Sequence, residues 1–304
     1  MSVAFIFPGQ GAQVTGMGKD FYEQTETGRK VFDKASELLG FSMPKLCFEP
    51  NDRLDLTEYT QAAMVTASIA MMKVLMEENE IRPCVAAGLS LGEYCALAAA
   101  GALSEEDAIT AVRKRGILMQ QAVPPGIGGM AAVLGMGAEE IEGVLEEMED
   151  VDIANYNCPG QIVISGKKEA VALAGERLKN AGAKRVIPLN VSGPFHSRML
   201  AEAGRKLGKE LEQVEIHPLR IPYVANVTAE YVRDEREIKG LLEKQVSHSV
   251  RWQQSVEAMV AAGVDTFVEI GPGKTLSGFM KKINRDVKTV NIEKLEDLRK
   301  LEKR

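Results

Sequence analysis

Ser90 stands between two glycines in Gly88-Leu89-Ser90-Leu91-Gly92, and G-x-S-x-G is the sequence form of a nucleophile elbow. The glycines let a strand and a helix meet at a sharp turn, which lifts the serine hydroxyl out of the fold. The apolar run Val85-Ala86-Ala87 before the motif and the small-residue run Tyr94 to Ala100 after it suit that strand and helix. A Gly-rich turn with a helix-capping serine fits the same residues. A serine hydroxyl becomes a useful nucleophile only when a base takes its proton, and the chain has three histidines. His217 precedes Pro218 in a Leu/Ile-rich stretch and reads as a surface or strand-edge residue. His248, in Ser247-His248-Ser249, reads as solvated. His196, in Gly193-Pro194-Phe195-His196-Ser197, is the better candidate, because it falls where an inserted unit would rejoin the main body and such junctions form clefts. Chemistry at an acyl carbon also needs donors for the oxyanion. The elbow offers the backbone N–H of Leu91. The loop Phe7-Pro8-Gly9-Gln10-Gly11-Ala12-Gln13 offers a second, with Gln10 the natural candidate, although a plain turn fits that loop equally well.

Two glycine patterns are decoys. Gly9-Gln10-Gly11 lacks the third glycine of a dinucleotide fingerprint, where Val14 stands, and Gly273-Lys274-Thr275 lacks the earlier glycine of a phosphate loop, where Val268 stands. Neither supports NAD or ATP, and Gly271-Pro272-Gly273 reads as a strand-to-helix turn. Cys47, Cys84, Cys95 and Cys158 show no CxxC pairing and no histidines at zinc spacing, so free thiols in a reducing compartment are expected. The 304 residues are 45% hydrophobic and 26% charged, ordinary for a globular protein, with a formal net charge of −6. No overall basic field gathers nucleic acid or an anionic membrane, and an anionic substrate would need a local cationic site. Val3 to Phe7, with no basic residues before it, is too short for a signal or a membrane span and reads as a first buried strand. A cytoplasmic protein is expected.

The elements that must position these residues alternate. Strand-like Val3–Phe7 and Cys84–Ala87 are separated by helical patterns such as Gln61 to Glu78. Glu105 to Gln121 follows behind Ser104 as N-cap. After residue 198 a helix to about Gln213 precedes strand candidates Ile221–Ala225, Thr266–Ile270 and Lys288–Ile292. This predicts an α/β fold with a mainly parallel, hydrolase-like sheet and helices on both faces. Between them runs strand Met130–Leu134, helix Ala138–Glu149, strands Val151–Tyr156 and Gln161–Ser165, helix Lys168–Ala181 and strand Arg185–Leu189. That β-α-β-β-α-β order is the ferredoxin-like split unit. The expected organisation is a discontinuous large domain, residues 1–126 and 193–304, with a small ferredoxin-like subdomain at 127–192.

FPGQGAQ (7–13), GLSLGEY (88–94), RKRGILMQ (113–120), NYNCPGQIVISG (155–166), GPFHS (193–197), VRW (250–252) and EIGPGKTL (269–276) occur together in order. In this the chain resembles the bacterial malonyl-CoA:acyl carrier protein transacylases of fatty-acid synthesis over nearly its whole length. The resemblance implies that Ser90 takes a malonyl group from coenzyme A as an ester, with His196 as its base and the backbone N–H groups of Gln10 and Leu91 as the oxyanion hole. It implies further that Arg115 pairs with the free malonyl carboxylate. On sequence alone Arg115 is one of three consecutive helix charges, Arg113, Lys114 and Arg115, and reads as solvated. By resemblance the main-chain carbonyl of Gln245 orients the histidine in place of the usual aspartate, Asn157 lines the site, and Phe195 resembles members that choose malonyl over methylmalonyl. Leu89 departs from the pattern, since many members carry histidine before the nucleophile. The implied partners are malonyl-CoA, a substrate rather than a cofactor, and acyl carrier protein. No cofactor and no metal are implied. A carrier protein of this kind is acidic, and Lys281-Lys282 with Arg285, and Lys184-Arg185, are candidate basic patches for it. A serine hydrolase and a non-catalytic binding module are the rival readings.

Overall fold

The computed structural model describes residues 2–191 and 193–302. Ser192, the expected last residue of the inserted unit, lies outside the described residues, as do Met1, Lys303 and Arg304. Among the described residues, ten strands form two sheets. In chain order they are β1 (Val3–Phe7), β2 (Val85–Gly88), β3 (Gly128–Leu134), β4 (Val151–Cys158), β5 (Gln161–Lys167), β6 (Arg185–Pro188), β7 (Tyr223–Val224), β8 (Tyr231–Val232), β9 (Thr266–Ile270) and β10 (Lys288–Ile292).

The larger sheet has the order β10-β9-β1-β2-β7-β8 and is parallel except for the β7–β8 pair. Every residue of β1 and β9 is buried, as expected for central strands covered on both faces. Alternation along β1 shows which helices cover them. Val3, Phe5 and Phe7 join the core of the Thr57–Glu78 helix, whereas Ala4 and Ile6 join the core of the Trp252–Ala261 and Thr275–Ile283 helices. The Thr57–Glu78 helix is buried on almost all sides, which explains its lack of a polar stripe.

The smaller sheet, β4-β5-β3-β6, is antiparallel throughout and carries the Ala138–Glu146 and Lys168–Asn180 helices. Its strand order is the ferredoxin-like one. A separate apolar core between sheet and helices includes Val133, Ile141, Ile164 and Leu178. Backbone bonds tie this sheet to the larger body: Tyr156 N–H donates to the Val250 carbonyl at 2.9 Å, and Val250 N–H to the Ala154 carbonyl at 2.8 Å. Arg198 pairs with Asp152 of β4.

Several element boundaries differ from the sequence expectation. The strand expected at Ile221–Ala225 shrinks to Tyr223–Val224, because Pro222 has no N–H to give the ladder and Asn226 turns its side chain to the elbow. The helix expected to reach Glu149 ends at Glu146. The chain has to reverse there through Asp150, at φ 63°, to enter β4. The helix expected from Arg198 to Gln213 opens as one 3₁₀ turn and then runs Ala201–Leu211, and the helix expected from Gln61 begins at Thr57.

Candidate active site

β1 and β2 are parallel and in register, Phe7 opposite Gly88, so their carboxyl ends deliver the Gly9–Gly11 loop and the elbow side by side. Ligands of open α/β sheets bind at such ends. Both elbow glycines are required by close approach. A Cβ on Gly88 would lie 2.0 Å from the Gly92 carbonyl, and one on Gly92 would lie 2.4 Å from the Phe7 carbonyl oxygen. Ser90 itself has φ 55°, in the left-handed region. Such strain persists where neighbours over-determine the backbone. Asn226 does so from both sides: its Oδ1 accepts from Ser90 N–H at 2.7 Å and its Nδ2 donates to the Gly88 carbonyl at 2.6 Å. Leu91 follows as N-cap of the Gly92–Ala99 helix, which leaves its N–H among the donors that a helix start presents.

His196, also left-handed at φ 57°, is buried with its Nε2 2.8 Å from Ser90 Oγ. Its Nδ1 lies 2.8 Å from the main-chain carbonyl of Gln245. A carbonyl only accepts, so Nδ1 carries the proton, and Nε2 is left as the acceptor for the serine hydroxyl. Burial, with the nearby Arg115 charge, pushes the imidazole pKa down to about 3. The ring is therefore neutral and ready to accept a proton at any ordinary pH.

Arg115 is fully buried on the Glu105–Gln121 helix, which Ser104 caps through Asp107 N–H. Arg113 of the same turn pairs with Glu58 over the Tyr59 ring and Lys114 pairs with Glu210, so the third charge of the run is the one that reaches Ser90. Its Nη2 donates to Ser90 Oγ at 3.0 Å and to Gln245 Oε1 at 2.9 Å, and its Nη1 donates to Gln61 Oε1 at 2.7 Å. Those acceptors are all neutral, and Nε has no partner. The guanidinium thus keeps capacity for an anion beside the serine. Burial lowers its pKa from the ordinary arginine value, opposed by Tyr94 and Glu93.

A cavity of about 630 Å³ opens over Ser90 and His196 between the two sheets, with Arg115 buried against Gln61 of its lining. Gln10, Leu89, Ser90, Asn157, Phe195 and His196 line it. Gln10 is anchored by Nε2 donating to Thr57 Oγ1 at 3.1 Å, and Asn157 leaves Oδ1 without a partner. His217 and His248 take no part: His217 is half exposed beside Glu215, and His248 is exposed against the Lys244 carbonyl. Sequence reasoning missed Glu93, Asn226 and Gln61. Glu93 left one trace, a carboxylate opening an otherwise apolar helix within GLSLGEY. Gln61 and Asn226 left none. Among the described residues, no group of three or more His, Cys, Asp or Glu side chains is placed to hold a metal ion.

The geometry suits serine-based acyl chemistry, with a cation beside the serine. Comparison with known proteins points to acyl transfer. An acyl transferase domain family model matches residues 4–296. The chain is 47% identical over 301 residues to the malonyl CoA-acyl carrier protein transacylase of Bacillus subtilis, covering 97% of this chain and 95% of that protein. The crystal structure of the transacylase of that name from Clostridium perfringens superposes with TM-score 0.95 at 44% identity, covering 99% and 96% of the two chains. A solved complex of a type II PKS acyl-carrier protein with its malonyl-transacylase aligns with TM-score 0.95 at 38% identity, covering 98% of each chain.

Proposed function

The chain belongs to the acyl transferase family, among its malonyl-CoA:acyl carrier protein transacylases, and from that premise we propose the course of its reaction. Ser90 attacks the thioester carbonyl of malonyl-CoA while His196 Nε2 takes the hydroxyl proton. The carbonyl π electrons move onto oxygen, and the backbone N–H groups of Gln10 and Leu91 hold that oxyanion. Collapse breaks the C–S bond, and coenzyme A leaves with the proton from His196. The phosphopantetheine thiol of acyl carrier protein then repeats these steps in reverse and carries the malonyl group away as a thioester. Oxidation states do not change, and every proton passes through His196, so these residues suffice for the chemistry without a cofactor.

One observation carries the reading: Ser90 Oγ lies within hydrogen-bond reach of both His196 Nε2 and Arg115 Nη2. A base on one side activates the nucleophile, and a cation on the other can take the distal carboxylate of a malonyl group. Phe195 fills the wall beside them and limits branching at the malonyl α-carbon. Asn157 Oδ1 offers an acceptor to the incoming arm. Residues 127–192 act as the small subdomain that closes the cleft. The place of work is the cytoplasm, where malonyl-CoA and carrier protein meet; among the described residues no helix is long and apolar enough to cross a membrane.

Intact-protein mass spectrometry after brief mixing with malonyl-CoA tests this. Wild type should gain one malonyl group and lose it to holo acyl carrier protein, while Ser90→Ala should gain none. An adduct lost equally fast to water without the carrier would make the chain a hydrolase, and no adduct at all would remove the covalent route.

A further inference from the structure

Glu93 lies three residues beyond Ser90 on the Gly92–Ala99 helix and is wholly buried, yet the reaction above gives it no task. Its Oε2 accepts from Gln245 Nε2 at 2.6 Å and from Asn226 N–H at 3.3 Å, while Oε1 has no partner. Both donors brace the nucleophile. Asn226 spans the elbow, and Gln245 touches everything else: Nε2 donates to the Ser90 carbonyl at 2.9 Å, Oε1 accepts from Arg115, and the main-chain oxygen accepts from His196.

A side-chain amide can sit in either of two orientations, related by a flip that exchanges oxygen and nitrogen. Flipped, the Gln245 amide would turn its N–H donors on the Arg115 donors and its oxygen on the Ser90 carbonyl and Glu93. A negative carboxylate at one end and a guanidinium at the other make that arrangement repulsive at both ends. The observed orientation places the amide oxygen on the cation and the amide nitrogen on the anion, so the amide relays one buried charge to the other.

We propose that ionised Glu93 is a positioning residue for acylation: it fixes the Gln245 side-chain amide, and through it holds Arg115 and the Ser90 backbone in register while balancing the Arg115 charge before a carboxylate-bearing substrate arrives. The proposal rests on Ser90 being the acylated residue. The charged or titratable groups facing Glu93 are Arg115 from the Glu105–Gln121 helix, Tyr94 from its own helix and Tyr223 from β7. Burial pushes the Glu93 carboxyl up to about 7, against the pull of Gln245, Asn226 and Arg115. Tyr94 and Tyr223 are pushed upward by burial and stay neutral, and His196, with its pKa near 3, keeps one charge state across the working range. Among these groups Glu93 alone changes charge near neutrality. Its folded pKa lies above the ordinary 4.5, so the ionised form is gained as pH rises through about 7.

Rapid-mixing acylation of Ser90 by malonyl-CoA, followed from about pH 5.5 to 9 in wild type and Glu93→Gln, tests this. Wild type should show an acid limb near neutrality in the limiting rate. Glu93→Gln keeps the shape and an acceptor but not the charge. It should give a flat profile roughly tenfold or more below the wild-type plateau, the scale expected when a reacting pair loses alignment. A variant at the wild-type rate, or one that is slow with the limb unchanged, overturns the proposal; the second outcome makes Glu93 merely structural. Should Glu93→Gln not fold, the wild-type profile decides alone, since absence of the limb is sufficient to reject it. Failure of wild type to acylate at any pH would instead strike the reading of Ser90, and this proposal with it.

Discussion

Ser90 and His196 both occupy left-handed backbone conformations, each costing about 1–3 kcal/mol, and both are held there by polar neighbours rather than by packing alone. Asn226 grips the serine backbone, and the Gln245 carbonyl grips the histidine ring. That division explains what the sequence could disclose. The elbow serine announces itself through two glycines whose spacing has few other uses, and His196 followed from the poverty of its competitors. Asn226 lies 136 residues from the serine it braces and belongs to no local pattern. Arg115 shows the same limit: three adjacent helix charges point in three directions, and only the fold decides which is inside. If that inward guanidinium reads the malonyl carboxylate, Arg115→Ala should lose malonyl transfer far more than acetyl transfer. A charge-assisted pair worth about 3 kcal/mol corresponds to roughly a hundredfold difference between the two losses. Parallel kcat/KM measurements with malonyl-CoA and acetyl-CoA check this, and equal losses would take Arg115 out of the role.

The central strands and the capped Glu105–Gln121 helix were legible because each obeys one local rule. Val3–Phe7 is an apolar run stopped by Pro8, Thr266–Ile270 is a mainly apolar stretch stopped by Gly271, and Lys288–Ile292 is more polar; all three form where expected. The ferredoxin-like unit was legible as an order of elements, with its register set later by pairing. What failed lay at the ends of elements: Pro222 and the turning of Asn226 to the elbow cut a strand short, and the turn at Asp150 cut a helix short. The elbow glycines belong to this scale too, since neither has positive φ and both are fixed by the approach of one element to another. Gly92→Ala would drive a Cβ against the Phe7 carbonyl. It should cost about 1–3 kcal/mol or more in urea unfolding and shift the serine enough to abolish acylation. Gly143 in the Ala138–Glu146 helix is the control, with nothing within 4 Å of an added Cβ. Gly143→Ala should stabilise by about 0.5–1 kcal/mol and leave acylation untouched. If Gly92→Ala behaved like this control, close approach would not be what requires glycine at the elbow.

Across the whole molecule the site is a cleft between a mainly parallel sheet and an antiparallel one. The parallel sheet places Ser90 and the Gly9–Gly11 loop at its carboxyl ends, while β4 and β5 supply residues of the opposite wall. Net charge is −6, so an acidic carrier protein approaching that cleft meets overall repulsion, and a local patch has to reverse it. Lys281, Lys282 and Arg285 are exposed at the end of the Thr275–Ile283 helix, whose Thr275 and Phe279 line the cavity. Lys282 Nζ donates to Gln161 Oε1 at 3.3 Å, and Gln161 also lines the cavity. Lys184 and Arg185 are exposed as well, at the start of edge strand β6. The first cluster is thus joined to the cleft mouth by direct contact, and it is the better placed for the carrier. Reversing it with Lys281→Glu and Lys282→Glu should raise KM for holo acyl carrier protein about tenfold, the equivalent of 1.4 kcal/mol, and should flatten its dependence on salt. Acylation from malonyl-pantetheine, which lacks the charged nucleotide of coenzyme A, should be unchanged. A rise in KM for both partners would mean that the substitution had deformed the cleft. No rise for the carrier would move its footprint to Lys184 and Arg185.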